Sequence, residues 1–408
     1  MTKHGKQGEP AELELTVLLP CLNEERTIGA CIAEARDAIA EYGLAAEVLV
    51  ADNGSEDASI QVAHAAGARV VKVSGRGYGN VLRIGIAAAH GRYVIMADAD
   101  GSYDLGQLLP FLERLRLGDQ LVMGDRFRGG IAPGAMPWLH RWVGNPILSW
   151  LGRLFFSARI ADFHCGMRGF DRRALLSLEL HTSGMEFASE MVICAALDGF
   201  RVANVPVKLR RDGRDRRPHL RTWRDGWRHL RFMLVLAPSW LFLYPGLLLM
   251  AVGGVVGGLL VAGPIYLGRI QLDIDTLLVM AGAVLLGYQL VGFASFAEAF
   301  AIGGGIRGGR RRAGPFEWLK LEVGIVLGLG LMVAGTAGIA VEAGGWAALG
   351  YGQLNPEQSF RVLIPSLLAL SMGFQTFFGS FFLDLLRMPI RVKRRAADAA
   401  KQLADLRR

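Results

Sequence analysis

Four stretches in the C-terminal part of the chain, residues 232–268, 276–297, 323–341 and 362–383, contain no Asp, Glu, Lys or Arg. Each can supply the roughly 20 apolar residues that cross a bilayer as an α-helix. Four membrane helices are therefore predicted, at about 239–263, 276–300, 321–342 and 362–384, within a membrane domain over 238–386. The first stretch is longer than one span requires, and Pro238 and Pro245 predict a bend or an interfacial portion there. The alternative is a buried helical core, which four such runs in succession disfavour. Apolar residues make up 52% of the 408 and charged residues 20%, which excludes disorder, a collagen-like repeat and a small disulfide scaffold. Four cysteines, Cys21, Cys31, Cys165 and Cys194, lack paired metal-ligand spacing and read as buried thiols in a reducing compartment.

The loops between the spans set the orientation. The second-to-third connection holds Arg307, Arg310, Arg311, Arg312 and Lys320. The tail over 387–408 opens with Arg387, Arg391, Lys393, Arg394 and Arg395. The other two loops offer little beyond Arg269 and Arg361. The positive-inside rule places the N-terminal domain, the middle loop and the tail in the cytoplasm of a multi-pass cell-membrane protein. Residues 1–12 are a polar tail with no signal-peptide pattern.

The basic excess is concentrated just before the first span. Residues 201–231 hold eleven Arg or Lys and three Asp, a surplus equal to the net charge of +8 on the whole chain. Arg221, Arg224, Arg228 and Arg231 form one helical stripe, and Trp223, Trp227, Leu230 and Leu234 form another. A basic amphipathic juxtamembrane helix over 216–237 is expected, with rings in the lipid boundary and guanidinium groups on phosphates. Anchoring alone would explain it; an anionic lipid substrate is the sharper reading. Nucleic acid is not expected as a partner, because the stripe runs directly into membrane spans.

The first 210 residues alternate strand and helix signals. Apolar runs predict strands at 13–20, 46–52, 68–73, 91–97 and 119–124, with helices at about 24–42, 55–66, 78–90 and 105–117. This is the pattern of an α/β domain with a mostly parallel, Rossmann-like sheet, here over 13–215. Ligands in such sheets sit at the carboxyl ends of the strands. Strand one ends in Pro20-Cys21-Leu22-Asn23-Glu24, with no Gly-x-Gly-x-x-Gly, which argues against a dinucleotide-dependent oxidoreductase. Strand two ends in Asp52-Asn53-Gly54-Ser55, and strand four in Asp98-Ala99-Asp100-Gly101-Ser102-Tyr103-Asp104. Carboxylates one residue apart at a strand end can share Mg²⁺ or Mn²⁺ with substrate phosphates. Asp104 reads as the N-cap of the next helix.

In this order, these motifs resemble family 2 glycosyltransferases with the GT-A fold. The resemblance covers about 13–231 and takes in Arg76-Gly77-Tyr78-Gly79-Asn80, Gly124-Asp125-Arg126, Asp162-Phe163-His164-Cys165-Gly166-Met167-Arg168, Glu186 to Glu190, and Val205-Pro206-Val207. It is nearest the polyprenyl-phosphate branch, which includes dolichol-phosphate mannose and glucose synthases, and some of its members carry four C-terminal spans. The resemblance implies transfer of a hexose from a nucleotide diphosphate sugar, of the UDP-glucose or GDP-mannose type, to a polyprenyl phosphate with inversion. It implies that Pro20, Leu22, Glu24 and Asp52 contact the nucleotide, and that Asp98, Ala99 and Asp100 hold the diphosphate and metal, with Asp100 the main ligand. Arg126 and Arg141 are expected on the acceptor phosphate, Asp162 orients acceptor or sugar, and Arg210 and Arg217 close over the diphosphate. Ser102 stands where mannose synthases have a Gln metal ligand, and Pro218-His219-Leu220 replaces their Ser-Lys-Leu, which turns the donor expectation toward UDP. Trp138-Leu139-His140-Arg141-Trp142 lacks the Gln of the processive Gln-x-x-Arg-Trp motif. A processive synthase and a non-catalytic lipid-sugar carrier or flippase subunit remain as alternatives, and a homo-oligomer is compatible with the sequence.

Overall fold

The computed structural model describes residues 13–178, 180–213, 222–303 and 320–387, with only the backbone of 222–225. The polar tail, Arg217, Arg221 and the basic C-terminal tail lie outside the described residues, as does the side chain of Arg224. The chain divides into two compact units between Leu236 and Ala237.

The N-terminal unit runs β1 (Leu15–Cys21), α1 (Ile28–Glu41), β2 (Ala46–Asp52), α2 (Ser59–Ala65), β3 (Arg69–Lys72), α3 (Tyr78–Ala88), β4 (Tyr93–Met96) and α4 (Leu109–Arg116). It continues through β5 (Leu121–Asp125), α5 (Arg126–Gly129), α6 (Asn145–Phe156), β6 (Arg168–Asp171), α7 (Arg172–Leu176), α8 (Phe187–Leu197), β7 (Val202–Pro206) and α9 (Thr222–Leu236). The sheet order is β3-β2-β1-β4-β6-β5-β7, and only β6 runs against its neighbours. This is a GT-A, Rossmann-like sheet. Its central strands are apolar runs buried on both faces, as a helix-covered parallel sheet requires. Leu15, Val17 and Leu19 pack with Ile28, Ile32 and Ala35 of α1, and burying each large aliphatic side chain is worth roughly 2 kcal/mol.

All five strands expected from apolar runs form. The helices expected from residues 24, 55 and 105 each begin four residues later, at Ile28, Ser59 and Leu109, and Asp104 has another role than expected. The helix expected from residue 24 begins at Ile28, because 24–27 form a turn closed by Thr27 N–H on the Glu24 carbonyl, 3.0 Å. Asp104 does not cap α4; its Oδ1 accepts from Gly106 N–H at 3.1 Å and its Oδ2 pairs with Arg210 at 2.9 Å.

In the C-terminal unit a π-helical turn, Ser239–Leu243, leads into α10 (Tyr244–Ala262), followed by the hairpin β8 (Ile265–Leu267) and β9 (Ile270–Leu272). Three helices follow, α11 (Ile274–Gly303), α12 (Leu321–Ala348) and α13 (Pro356–Arg387). The four candidate membrane spans, Ser239–Ala262, Ile274–Ile302, Leu321–Ala348 and Pro356–Arg387, all have a mean hydropathy of at least 1.5. Helices in lipid gain little from apolar burial, so close backbone approach matters more. Gly246 of α10 lies against Gly287 of α11, and Gly328 of α12 against Gly373 of α13; a Cβ at any of the four would strike the opposite backbone. Arg361 pairs with Asp273 and the Leu260 carbonyl, tying the start of α13 to the ends of the first hairpin of helices.

Candidate active site

The carboxyl ends of β1, β2 and β4 converge because these strands are adjacent and parallel. Asp52, at the end of β2, is 2% exposed. Its carboxylate accepts from Gly54 N–H at 2.9 Å and from Ser55 N–H at 3.1 Å, which shapes the loop it begins. That loop is stitched to the one after β1: Asn23 N–H donates to Ser55 Oγ at 2.9 Å and Glu56 N–H to Asn23 Oδ1 at 2.8 Å. Pro20 and Leu22 are half-buried at this junction, and Glu24 is buried with its N–H on Ser59 Oγ, 2.7 Å.

The loop after β4 is held from several sides. Thr27 Oγ1 donates to the Ala99 carbonyl at 2.8 Å, and Ser102 N–H donates to Asp100 Oδ1 at 3.0 Å. Gly213 N–H donates to the Asp100 carbonyl at 3.0 Å and Arg210 N–H to that of Ser102 at 2.7 Å, so 210–213 crosses the loop by its backbone. The Arg210 guanidinium is engaged by Glu34 and Asp104, each at 2.9 Å, and holds this strap in place. Tyr78, from the glycine-rich loop, donates its hydroxyl to Asp98 Oδ1 at 3.1 Å. Burial, then the Asp98 charge, raises the Tyr78 phenol well above its ordinary range, so it stays a donor.

Among the described residues no group of three or more His, Cys, Asp or Glu is placed to hold a metal. Mg²⁺ needs no such cage; one or two carboxylates, substrate phosphates and water suffice. Asp98 and Asp100 meet that requirement, with Asp98 shared with Tyr78 and Asp100 8% exposed.

The second half of the site lies beyond β6, at the end of β5, roughly 10 Å across two strand spacings. Asp125 caps α5 through Phe127 and Arg128 N–H, both 3.1 Å, and so aims Arg126. Arg126 Nε and Nη2 donate to Asp162 at 2.5 and 2.8 Å, a bidentate pair in which Asp162 is fully buried. Arg141 lies in a π-turn, His140–Gly144, with its guanidinium carbon 5.4 Å from the Trp142 ring centroid. His140 is held below its usual range, first by burial and then by the Arg126 charge.

Further residues support this half, several of them from the motifs over 162–168 and 186–190. A Cβ at Gly166 would sit on Asp98 Oδ2 and the Tyr103 ring, and Tyr103 Oη accepts from Gly166 N–H at 2.8 Å. Arg168 is 1% exposed and donates to the carbonyls of Cys165, at 2.7 Å, and Ala188, at 2.5 Å. His164 packs edge-on to His229 of α9, ring centroids 4.7 Å apart, and His229 bonds Ser189 at 2.8 Å. Burial pushes the His164 imidazole well below its ordinary range, with the charges of His229, Arg168 and Arg126 acting in the same sense. Glu190 accepts from His181 N–H at 3.0 Å and Thr182 N–H at 2.9 Å and orders the loop before α8. Of the interfacial arginines, Arg228 and Arg231 are exposed on α9.

Residues 16–178 match the family described as "Glycosyl transferase family 2", and residues 295–387 match "Glycosyltransferase family 2 C-terminal transmembrane region". "Low-salt glycan biosynthesis hexosyltransferase Agl6" of Haloferax volcanii is 35% identical over 378 residues, 91% of this chain and 89% of that protein. "Dolichyl-phosphate hexose transferase" of the same organism is 32% identical over 48% of this chain and 83% of its own length. Glucosyl-3-phosphoglycerate synthase from Mycobacterium tuberculosis superposes with a TM-score of 0.44 at 25% identity, covering 56% of this chain and 81% of that structure. That enzyme has also been solved with Mn²⁺ and UDP-glucose. With a relative this similar along nearly its whole length, the chain belongs to glycosyltransferase family 2, as a membrane member with the family's C-terminal transmembrane region.

Proposed function

We propose that this protein transfers a hexose from a nucleotide diphosphate sugar to a polyprenyl phosphate, with inversion at the anomeric carbon. The observation that carries this reading is the clamped Arg126. It offers a fixed positive charge beside the carboxylate loop, in a chain whose catalytic unit ends in a basic helix leading to membrane spans. The relative named for dolichyl phosphate supports the acceptor class.

In this reading the loops after β1 and β2 receive the nucleotide through Pro20, Leu22, Glu24 and Asp52. Asp98 and Asp100 would hold Mg²⁺ or Mn²⁺, which supplies charge neutralisation to the departing diphosphate. Arg126 and Arg141 fix the acceptor phosphate, while Asp162 keeps Arg126 in place. A phosphate oxygen of the lipid forms the new bond to the anomeric carbon as the bond to the nucleotide diphosphate breaks and its electron pair leaves with that group. The phosphate is already ionised at neutral pH, so positioning and charge stabilisation outweigh general-base help. Arg217 is assigned to the diphosphate with Arg210, whose guanidinium would have to leave Glu34 and Asp104 to reach it. The catalytic unit is assigned to the cytoplasm, from the distribution of Arg and Lys among the loops.

A panel of UDP- and GDP-sugars assayed with and without polyprenyl phosphate tests the reading. Nucleotide diphosphate should be released only when donor and lipid are both present, with one sugar per lipid. Repeated addition would instead mark a processive synthase, and no release a carrier subunit.

A further inference from the structure

The Asp98 carboxylate is held from two sides. On one, Tyr78 donates its hydroxyl to Oδ1 at 3.1 Å. On the other, the backbone of Gly166 lies against Oδ2, where a Cβ would strike that oxygen and the Tyr103 ring. A carboxylate bonded at one oxygen and packed at the other keeps a single orientation.

Both sides rest on α8. Glu190, a residue of that helix and 7% exposed, commits its carboxylate to the loop just before it. Oε1 accepts from His181 N–H at 3.0 Å; Oε2 accepts from Thr182 N–H at 2.9 Å and from Thr182 Oγ1 at 2.5 Å. Bonds to a charged acceptor are the strong ones, so this loop is firmly ordered. The loop in turn receives the start of α3. The Ser183 carbonyl accepts from Gly79 N–H at 2.9 Å, and a Cβ at Gly77 or Gly79 would strike the Ser183 or Thr182 carbonyl oxygen. Glycine on each side of Tyr78 therefore lets backbone meet backbone, which fixes where the phenol stands. On the Gly166 side, Arg168 donates to the Cys165 carbonyl at 2.7 Å and to that of Ala188, in the first turn of α8, at 2.5 Å.

We propose that Tyr78 is a positioning residue for the metal site. Its hydroxyl fixes the Asp98 carboxylate in the orientation that suits a small octahedral cation, and Glu190 fixes Tyr78 through the loop at 181–183. This rests on the reading of Asp98 and Asp100 as the residues that hold Mg²⁺ or Mn²⁺. Mg²⁺ demands near-ideal octahedral geometry, whereas Ca²⁺ accepts irregular geometry and bidentate carboxylates. A carboxylate with one oxygen engaged by a phenol is a poor bidentate ligand, so the hydroxyl favours the smaller ion. Partners that orient a ligating carboxylate are worth roughly 10- to 100-fold in metal affinity.

Calorimetric titration of Mg²⁺ and Ca²⁺ into the full-length protein in detergent tests this, with UDP or GDP present and the heat of metal binding to free nucleotide subtracted. Tyr78→Phe keeps the ring and removes only the hydroxyl. It should weaken Mg²⁺ binding roughly 10- to 100-fold and Ca²⁺ binding much less, at an unchanged melting temperature. The electron paramagnetic resonance spectrum of bound Mn²⁺ should change as well, since it reports the symmetry of the ligands. Equal Mg²⁺ affinity in Tyr78→Phe and wild type overturns the proposal, and so does an equal loss for both cations. Glu190→Gln keeps the size but not the charge that gathers the three donors, and should weaken Mg²⁺ in the same sense. Because both residues act through one bond, the double variant should be little worse than Tyr78→Phe alone. Losses that simply add would sever Glu190 from Tyr78 and overturn the route through the loop. Wild-type protein that binds neither cation with either nucleotide would end the metal reading itself, and the role of Tyr78 with it.

Discussion

Asp162 grips Arg126 through two parallel hydrogen bonds, 2.5 and 2.8 Å, and leaves Nη1 of the arginine without a partner among the described residues. The pair is nearly sealed from water, so the arginine is ordered before any ligand arrives. A buried pair of this kind has its value in geometry rather than in net stability.

Asp162→Asn should preserve the shape but loosen the arginine. The expected loss in kcat/KM for the lipid acceptor is roughly 100-fold, the scale of losing one preorganised charge-stabilising donor. Donor affinity should change little. Asp162→Ala strands a buried guanidinium and should lower unfolding free energy by about 3–5 kcal/mol. Acceptor titration and thermal denaturation in detergent check the two effects separately. Equal acceptor kinetics for Asp162→Asn and wild type would remove Arg126 from the acceptor site.

Asp100→Asn should abolish transfer supported by Mg²⁺ or Mn²⁺ while the protein stays folded in the membrane. The amide oxygen can still accept from Ser102 N–H, 3.0 Å in the present loop, so the turn survives while the charge is lost. Substantial activity at saturating metal would sink the assignment of Asp100 as the principal ligand.

Asp52→Asn should weaken donor binding more than it slows turnover of bound donor, because its assigned contact is made equally in ground and transition states. A weakening of about 10-fold corresponds to a bond of ~1.4 kcal/mol, within the range for charged groups. Asp52→Ala should be worse, since it also releases Gly54 and Ser55 N–H. Calorimetry with the nucleotide sugar gives the comparison; unchanged donor affinity in both variants contradicts the role.

Replacing Arg221, Arg224, Arg228 and Arg231 together should reduce lipid-acceptor use far more than donor binding. Each arginine near an anionic surface is worth about 1 kcal/mol. Acceptor titration in detergent, set against the same titration in anionic liposomes, separates lipid attraction from folding. Equal acceptor affinity in both would reduce α9 to an anchor.

Much of this fold is legible because β1 to β5 are apolar runs ending at chemically unusual residues. β6 is not legible. Arg168-Gly169-Phe170-Asp171 begins with a charge and holds a glycine, yet Arg168 is buried because two carbonyls satisfy its guanidinium. Sequence cannot reveal such a pairing, since the acceptors belong to the backbone of Cys165 and Ala188. For the same reason Arg210 reads as a phosphate ligand, although it is balanced between Glu34 and Asp104 from distant parts of the chain. Tyr78 is visible only as a member of a glycine-rich loop; its bond to Asp98 depends on where α3 starts relative to β4.

The glycine seams of the membrane unit divide its positions into two classes with very different freedom to drift. Gly328→Leu would drive a side chain into the Phe377 backbone and should cost about 1–3 kcal/mol or force the hairpin of α12 and α13 apart. Gly330, two residues on and so on the opposite side of the helix, has no atom within 4 Å of where its Cβ would go. A library randomised among apolar residues should therefore accept almost anything at outward positions such as 330 while returning glycine at 246, 287, 328 and 373. Lineages adapting this unit to thicker, thinner or chemically different membranes can rewrite its lipid-facing surface while leaving the helix pairing untouched.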